Sequence, residues 1–204
     1  MLNAAESEKI VAGFVQVPKS QTVKSFEEIK LKAPLALKIL SKDAVHKTEV
    51  NGVKVVMYQE ALKPAFDSLM QEAQKHKLQL DGIFVQEFVK GVETIAGLKK
   101  DSVFGHMILF GLGGIFTEVT ADTSTRKCPI TSDDAEEMIQ ELKSSKIFFE
   151  GFRGMKIDLE DLKKSLVKIS KIPQKHKNIE ELDINPFTLA ESGSFAVDVR
   201  AVLK

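Results

Sequence analysis

Every apolar run in this chain is short. LALKIL (35–40), VKVVMY (53–58), DGIFVQEF (81–88), VETIAGL (92–98), HMILFGL (106–112) and IFTEVT (115–120) are each bounded by proline, glycine or a polar loop. Runs of that length suit strands, and none approaches the roughly 20 residues that span a bilayer. Other stretches carry the period of helices that bury one face. Leu62, Phe66, Leu69, Met70 and Ala73 mark one over 60–76. Ala135, Met138, Ile139 and Leu142 mark a second behind the capping pattern Thr131–Asp134, and Leu159, Leu162, Leu166 and Ile169 a third from near Asp158. Ser25 to Glu28 reads as a capping box opening a short helix. IEELDINPFTLA and SFAVDVRAVL, joined by Glu-Ser-Gly, close the chain as two strands. Two lobes are expected, 1–80 and 81–204. The mixture of elements argues an α+β (mixed α/β) fold rather than a doubly wound parallel sheet.

Composition excludes several classes of partner. Lys+Arg and Asp+Glu both count 29, so no basic excess points to nucleic acid or an anionic membrane surface. One cysteine, Cys128, leaves no internal disulfide framework and fits a reducing compartment. The N-terminus lacks a basic segment followed by an apolar one. A soluble, cytoplasmic chain is expected, with a core that its 43% of hydrophobic residues can supply.

Lys38 interrupts a strand. Alternation puts Leu35, Leu37 and Ile39 on one face and Lys38 on the other, either in solvent or in a cleft where an ammonium can meet phosphate oxygens. His46, Lys47, Thr48, Gly52 and Lys54 share a polar loop that could cradle phosphates, although it is not a Walker loop. His46 is either a surface histidine or a phosphoryl acceptor. No histidine or cysteine spacing makes a zinc site, and GLGG (111–114) lacks the spacing of a dinucleotide fingerprint. If the last two strands form a hairpin, Asn185 and Asp198 fall nearly opposite one another. An amide oxygen and a carboxylate there suit Mg²⁺, which takes one or two protein ligands beside water and phosphate. A turn asparagine and an exposed strand aspartate are the plainer alternative.

LALKILSKDAVHKTEVNGVKV, VQEFVKGVETIAG, FGHMILFGLGGIFTEV, STRKCPIT, the Arg-Gly pair at 153–154, ELDINPF and AVDVR, in this order, resemble the ATP-grasp β subunit of ADP-forming acetyl-CoA synthetases. Succinyl-CoA synthetase β subunits are similar at a greater distance. The resemblance implies an ATP-grasp fold in which two α+β lobes clasp a nucleotide. It implies that Lys38 contacts the phosphates, Gln86, Glu87 and Phe88 pair with adenine at a hinge, Glu93 binds the ribose and Arg126 sits near the phosphates. Asn185 and Asp198 would hold Mg²⁺, and His46 would relay a phosphoryl group. The implied reaction interconverts acyl-CoA, ADP and phosphate with acid, ATP and CoA. The resemblance also implies a CoA-binding α partner that would carry a phosphohistidine, in an α2β2 assembly.

The sequence departs from that pattern in four places. Asn51–Gly52 stands for Gly-Gly, Ser102 and His106 replace prolines, Ala121 replaces a lysine, and the resemblance begins part-way into the family's N-terminal segment. Two other functions fit a chain of this kind. One is a regulatory module of the sort joined to protein acyltransferases, and the other a stand-alone ATP-grasp carboxylate ligase. The acid is not legible, because acyl specificity would lie largely at the α subunit or its interface, and neither is adenine against guanine, because hinge recognition is mostly backbone.

Overall fold

The computed structural model describes residues 2–41, 51–113 and 121–204. They form two compact units, residues 18–88 and residues 1–17 with 89–204.

The first unit is a four-stranded antiparallel sheet in the order β1-β4-β2-β3: β1 Ser20–Val23, β2 Leu35–Ser41, β3 Val53–Val56 and β4 Leu80–Glu87. Helix α2, Leu62–Lys75, packs Leu62, Phe66, Leu69 and Ala73 against Leu35, Leu37, Ile39, Ile83 and Val85. A fully buried leucine or phenylalanine contributes about 1.5–3 kcal/mol, so this one face holds the unit together. The expected helix at Ser25 is a single 3₁₀ turn, Phe26–Glu28, without a side-chain cap. Glu28 instead accepts a hydrogen bond from the Lys24 amide at 2.9 Å, so the capping box is not made.

The second unit is a six-stranded sheet. Strands β5 Val92–Asp101, β6 Gly105–Leu112, β7 Thr123–Lys127, β8 Ile179–Ala190 and β10 Val199–Leu203 run in the order β10-β8-β5-β6-β7, and β9 Gly193–Ala196 also pairs with β8. Helices α1 Ala4–Val11, α3 Ser132–Gln140, α4 Ser145–Glu150, α5 Leu159–Ser170 and α6 Ile172–Lys175 complete it. Thr131 and Asp134 form the expected capping box at the start of α3. Ala135, Met138, Ile139, Leu162, Leu166 and Ile169 meet Ala96, Leu98, Ile108, Phe110, Leu182 and Ile184 in its core.

The division falls differently from the expected boundary at residue 80. Strand β4 lies between β1 and β2, which keeps 81–88 with the first unit. The N-terminal residues join the second because α1 is tied to β10. The Leu2 amide donates to Ala201 O at 3.0 Å, and Ser7 Oγ accepts from the Ala201 amide at 3.2 Å. The expected strand 115–120 lies outside the described residues.

Candidate functional site

Asn185 and Asp198 meet at a bulge. Thr94 lies opposite Phe187 and Ala96 opposite Ile184, so β8 carries one more residue than β5 at this point. On the other side of β8, the Asn185 amide donates to Asp198 O at 2.9 Å and the Val197 amide to Pro186 O at 3.2 Å. Ile184, Phe187, Ala196 and Val199 belong to the core, and alternation turns Asn185 and Asp198 outward. The bulge thus sets two side chains that end in an amide and a carboxylate side by side on that face. Both are hard oxygen donors and fit Mg²⁺. Among the described residues no three His, Cys, Asp or Glu side chains are grouped to hold a metal. A cation on this pair would therefore complete its shell with water and phosphate oxygens.

Glu93 alternates with the buried Val92 and Thr94, is exposed, and lies on the same outward face. Its carbonyl accepts from the Gly113 amide at 3.0 Å, and a Cβ on Gly113 would lie 2.9 Å from that carbonyl oxygen. A Cβ on Gly111 would lie 2.4 Å from Asp122 O. These two glycines of GLGG serve close strand approach.

Two residues that sequence reasoning passed over belong to this face. Asp183 is paired in register with Gly97 on β5 and Arg200 on β10. Burial pushes its carboxyl above the usual carboxylate range; Arg200 opposes that, and Asp198 and Glu181 add to it. The legible signal was spacing, since Asp183 precedes Asn185 by two residues on one strand. A cavity of about 340 Å³ runs from Asp183 over Gly97, Lys99, Met107, Leu109 and Thr125. The Arg153–Gly154 pair forms a turn with both φ positive, at 49° and 81°. It lines a second cavity with Lys90, Gly91 and Glu191.

Arg126 is not brought together with Asn185 and Asp198. It pairs with the core residue Ile108 and so projects from the helix-bearing face of the sheet. Its guanidinium is bidentate to Glu141, just beyond α3, with Nη1 to Glu141 Oε2 at 3.0 Å, and it also reaches Glu137 at 3.5 Å. The hydrogen bonds from Arg126 and then Ser124 hold the Glu141 carboxyl down at about 2. The arrangement pins the end of α3 to β7 rather than offering a cation to a ligand on the other face.

In the first unit, Lys38 is 6% exposed. Leu35, Leu37 and Ile39 face α2, and Lys38 projects oppositely, as alternation required, but into a buried setting rather than solvent. Its ammonium donates to Gln86 Oε1 at 3.3 Å, and Gln86 is fully buried. The amide of Glu87 donates to Lys19 O at 2.9 Å and that of Phe88 to Pro34 O at 3.0 Å. The backbone donors of Glu87 and Phe88 are therefore committed within this unit. His46, Lys47 and Thr48 lie outside the described residues.

The substituted positions have local explanations. Asn51 sits at φ 51°, a conformation asparagine tolerates better than most side chains. His106 Nε2 donates to Ile179 O at 2.8 Å. Asp101 orders the turn at Ser102 by accepting from the Val103 and Phe104 amides at 2.7 and 2.9 Å. Ala121 stands at φ 45°, which costs a residue with a Cβ about 1–2 kcal/mol.

Comparison with known proteins agrees with this architecture. The ATP-grasp domain model matches residues 1–203; the chain belongs to that family. It is 36% identical over 199 residues to the β subunit of acetate–CoA ligase (ADP-forming) I of Pyrococcus furiosus, covering 93% of this chain and 85% of that one. It is 40% identical over 174 residues to acetate–CoA ligase (ADP-forming) I of Archaeoglobus fulgidus, covering 83% of this chain but a quarter (25%) of that protein. Among solved structures, the dinucleotide-forming acetyl-coenzyme A synthetase 1 of Ca. Korarchaeum cryptofilum with coenzyme A, Ca-AMPCP and HgCl⁺ superimposes with a TM-score of 0.93 at 36% identity. The match covers 100% of this chain and 93% of that one. A second structure of that enzyme, with coenzyme A and Mg-AMPPCP, has its phosphohistidine segment pointing towards the nucleotide-binding site. It matches with a TM-score of 0.84 at 34% identity over 98% and 92% of the two chains.

Proposed function

We propose that this chain is the nucleotide-binding part of an ADP-forming acyl-CoA synthetase of the acetate–CoA ligase type. It would exchange a phosphoryl group between a phosphohistidine on a CoA-binding α partner and ADP, in the cytoplasm and within an α2β2 assembly. The observation that carries this reading is the pairing of Asn185 and Asp198 on the sheet face turned away from the core, which also bears the exposed Glu93. That set suits a nucleotide whose phosphates share a cation with the protein, and the bound nucleotide analogues of the Korarchaeum enzyme agree with it.

In the direction of ATP formation the P–N bond of the phosphohistidine breaks and a P–O bond forms to a terminal oxygen of ADP. Little covalent chemistry falls to the protein, so positioning and charge neutralisation carry the rate. Mg²⁺ held by Asn185 and Asp198 would supply neutralising charge on the phosphates. Lys38 would add a second positive centre, and Glu93 would accept from ribose hydroxyls. His46 is proposed to relay or orient the phosphoryl group. For Arg126 the geometry favours a structural role through Glu141.

The test is co-expression with a CoA-binding partner, followed by a screen of carboxylic acids for CoA-dependent conversion of ATP to ADP. Activity that requires both chains supports the reading. Acyl phosphate formation by this chain alone would favour a stand-alone ligase, and ligand binding without turnover beside an acetyltransferase would favour a regulatory module.

A further inference from the structure

An ammonium taken out of water must be met by acceptors, or its charged form becomes costly. Lys38 stands in that situation at the middle of a strand flanked on both sides. Its neighbours on that face follow from the register. Ala36 lies opposite Gln86 and Lys38 opposite Phe84, so Gln86 is the diagonal cross-strand neighbour of Lys38, within reach of a long side chain. The geometry uses that reach, with Lys38 Nζ 3.3 Å from Gln86 Oε1 and both side chains buried.

From this contact we infer that Gln86 is a positioning residue for the Lys38 ammonium and does not read the nucleotide base. The glutamine presents a carbonyl dipole to the cation without neutralising it. A carboxylate at this place would compete with phosphate for the ammonium; an amide orients the ammonium without adding a competing negative charge. The rigidity of the contact follows from its setting, because β4 is held on both edges, by β1 and by β2. Gln86 therefore acts through Lys38, and the inference rests on the reading of Lys38 as a phosphate contact.

The experiment measures binding of Mg·ADP and Mg·GDP to the full chain by calorimetry for the wild type, Gln86→Leu, Gln86→Glu, Lys38→Ala and the double variant Lys38→Ala/Gln86→Leu. Gln86→Leu is expected to weaken both nucleotides by the same factor, on the order of tenfold, the scale of one lost hydrogen bond to a charged group. The ratio of ADP to GDP affinity stays at its wild-type value. Gln86→Glu also weakens both equally, as its carboxylate competes with the phosphates. The double variant is no weaker than Lys38→Ala, because Gln86 has nothing left to position. A changed ADP to GDP ratio in Gln86→Leu or Gln86→Glu would overturn the inference and return Gln86 to the base. So would additive losses in the double variant, or an unchanged affinity in Gln86→Leu beside a loss in Lys38→Ala. Wild-type affinity in Lys38→Ala would instead remove the phosphate role of Lys38, and this inference with it. Should Gln86→Leu fail to fold, the affinities and ratio in Gln86→Glu, which keeps the side chain's size, decide the matter.

Discussion

Asn185 and Asp198 owe their alignment to one extra residue. Without the bulge, strict alternation would run unbroken from Ile184 to Phe187, and one of those two would leave the core. Removing either proposed ligand is expected to cost about 1–3 kcal/mol of Mg·ADP affinity, the scale of a lost charged contact. Calorimetry on Asn185→Ala and Asp198→Ala checks it, and affinity that no longer responds to Mg²⁺ is the sharper sign. Ala121 offers a test of stability alone. Its positive φ suits glycine, so Ala121→Gly should raise stability by up to about 1 kcal/mol after glycine's entropic cost in the unfolded chain. Urea denaturation measures it.

At the scale of elements, the Arg126–Glu141 pair makes a pH-dependent clamp between β7 and the end of α3. The Glu141 carboxyl is held at about 2 in the folded chain against an ordinary 4.5, by hydrogen bonds from Arg126 and Ser124. A depressed carboxyl stabilises the fold fully above its unfolded value and loses that contribution as pH falls through the folded one. Glu141→Gln should therefore be less stable than wild type at pH 7, and the gap should close between pH 4.5 and about 2. Thermal melts across that range read it, and a gap independent of pH would remove the clamp.

Other strands show what a single sequence conveys. Period-2 alternation places Lys38 opposite Leu35, Leu37 and Ile39, and the hairpin spacing places Asn185 by Asp198; both relations are local and legible. The placement of Arg126 is not legible in the same way, because a motif gives order along the chain, whereas the sheet face an arginine takes depends on its cross-strand partner, here Ile108. Asp183 and Arg200 were missed for a related reason, since their importance comes from register across three strands. The capping box at Thr131 formed and the one at Ser25 did not. The first opens a helix whose Ala135, Met138 and Ile139 are buried, while the turn after Ser25 has no buried residue to extend for. Capping alone does not sustain a helix that buries no face.

For the whole molecule, the boundaries at 17/18 and 88/89 show why a cut at residue 80 failed. A linear sequence suggests contiguous lobes, but the N-terminal helix pairs with the last strand, a contact between opposite ends of the chain. On the proposed reading, function on this scale belongs to an assembly. His46→Ala is expected to leave Mg·ADP binding nearly intact while severely reducing ATP formation by the reconstituted complex, because ground-state binding and phosphoryl transfer draw on different groups. His46→Asn separates orientation from covalent relay, since an amide can hydrogen-bond but cannot carry the phosphoryl group.

The most direct measurement starts from the CoA-binding partner carrying radiolabelled phosphate on its histidine. Mixed with this chain and Mg·ADP, the label should leave the partner and appear in ATP. Transfer should be severely slowed by Asp198→Ala and by omission of Mg²⁺. Label that stays on the partner, or ATP that forms as fast without this chain or with Asp198→Ala, would contradict the account.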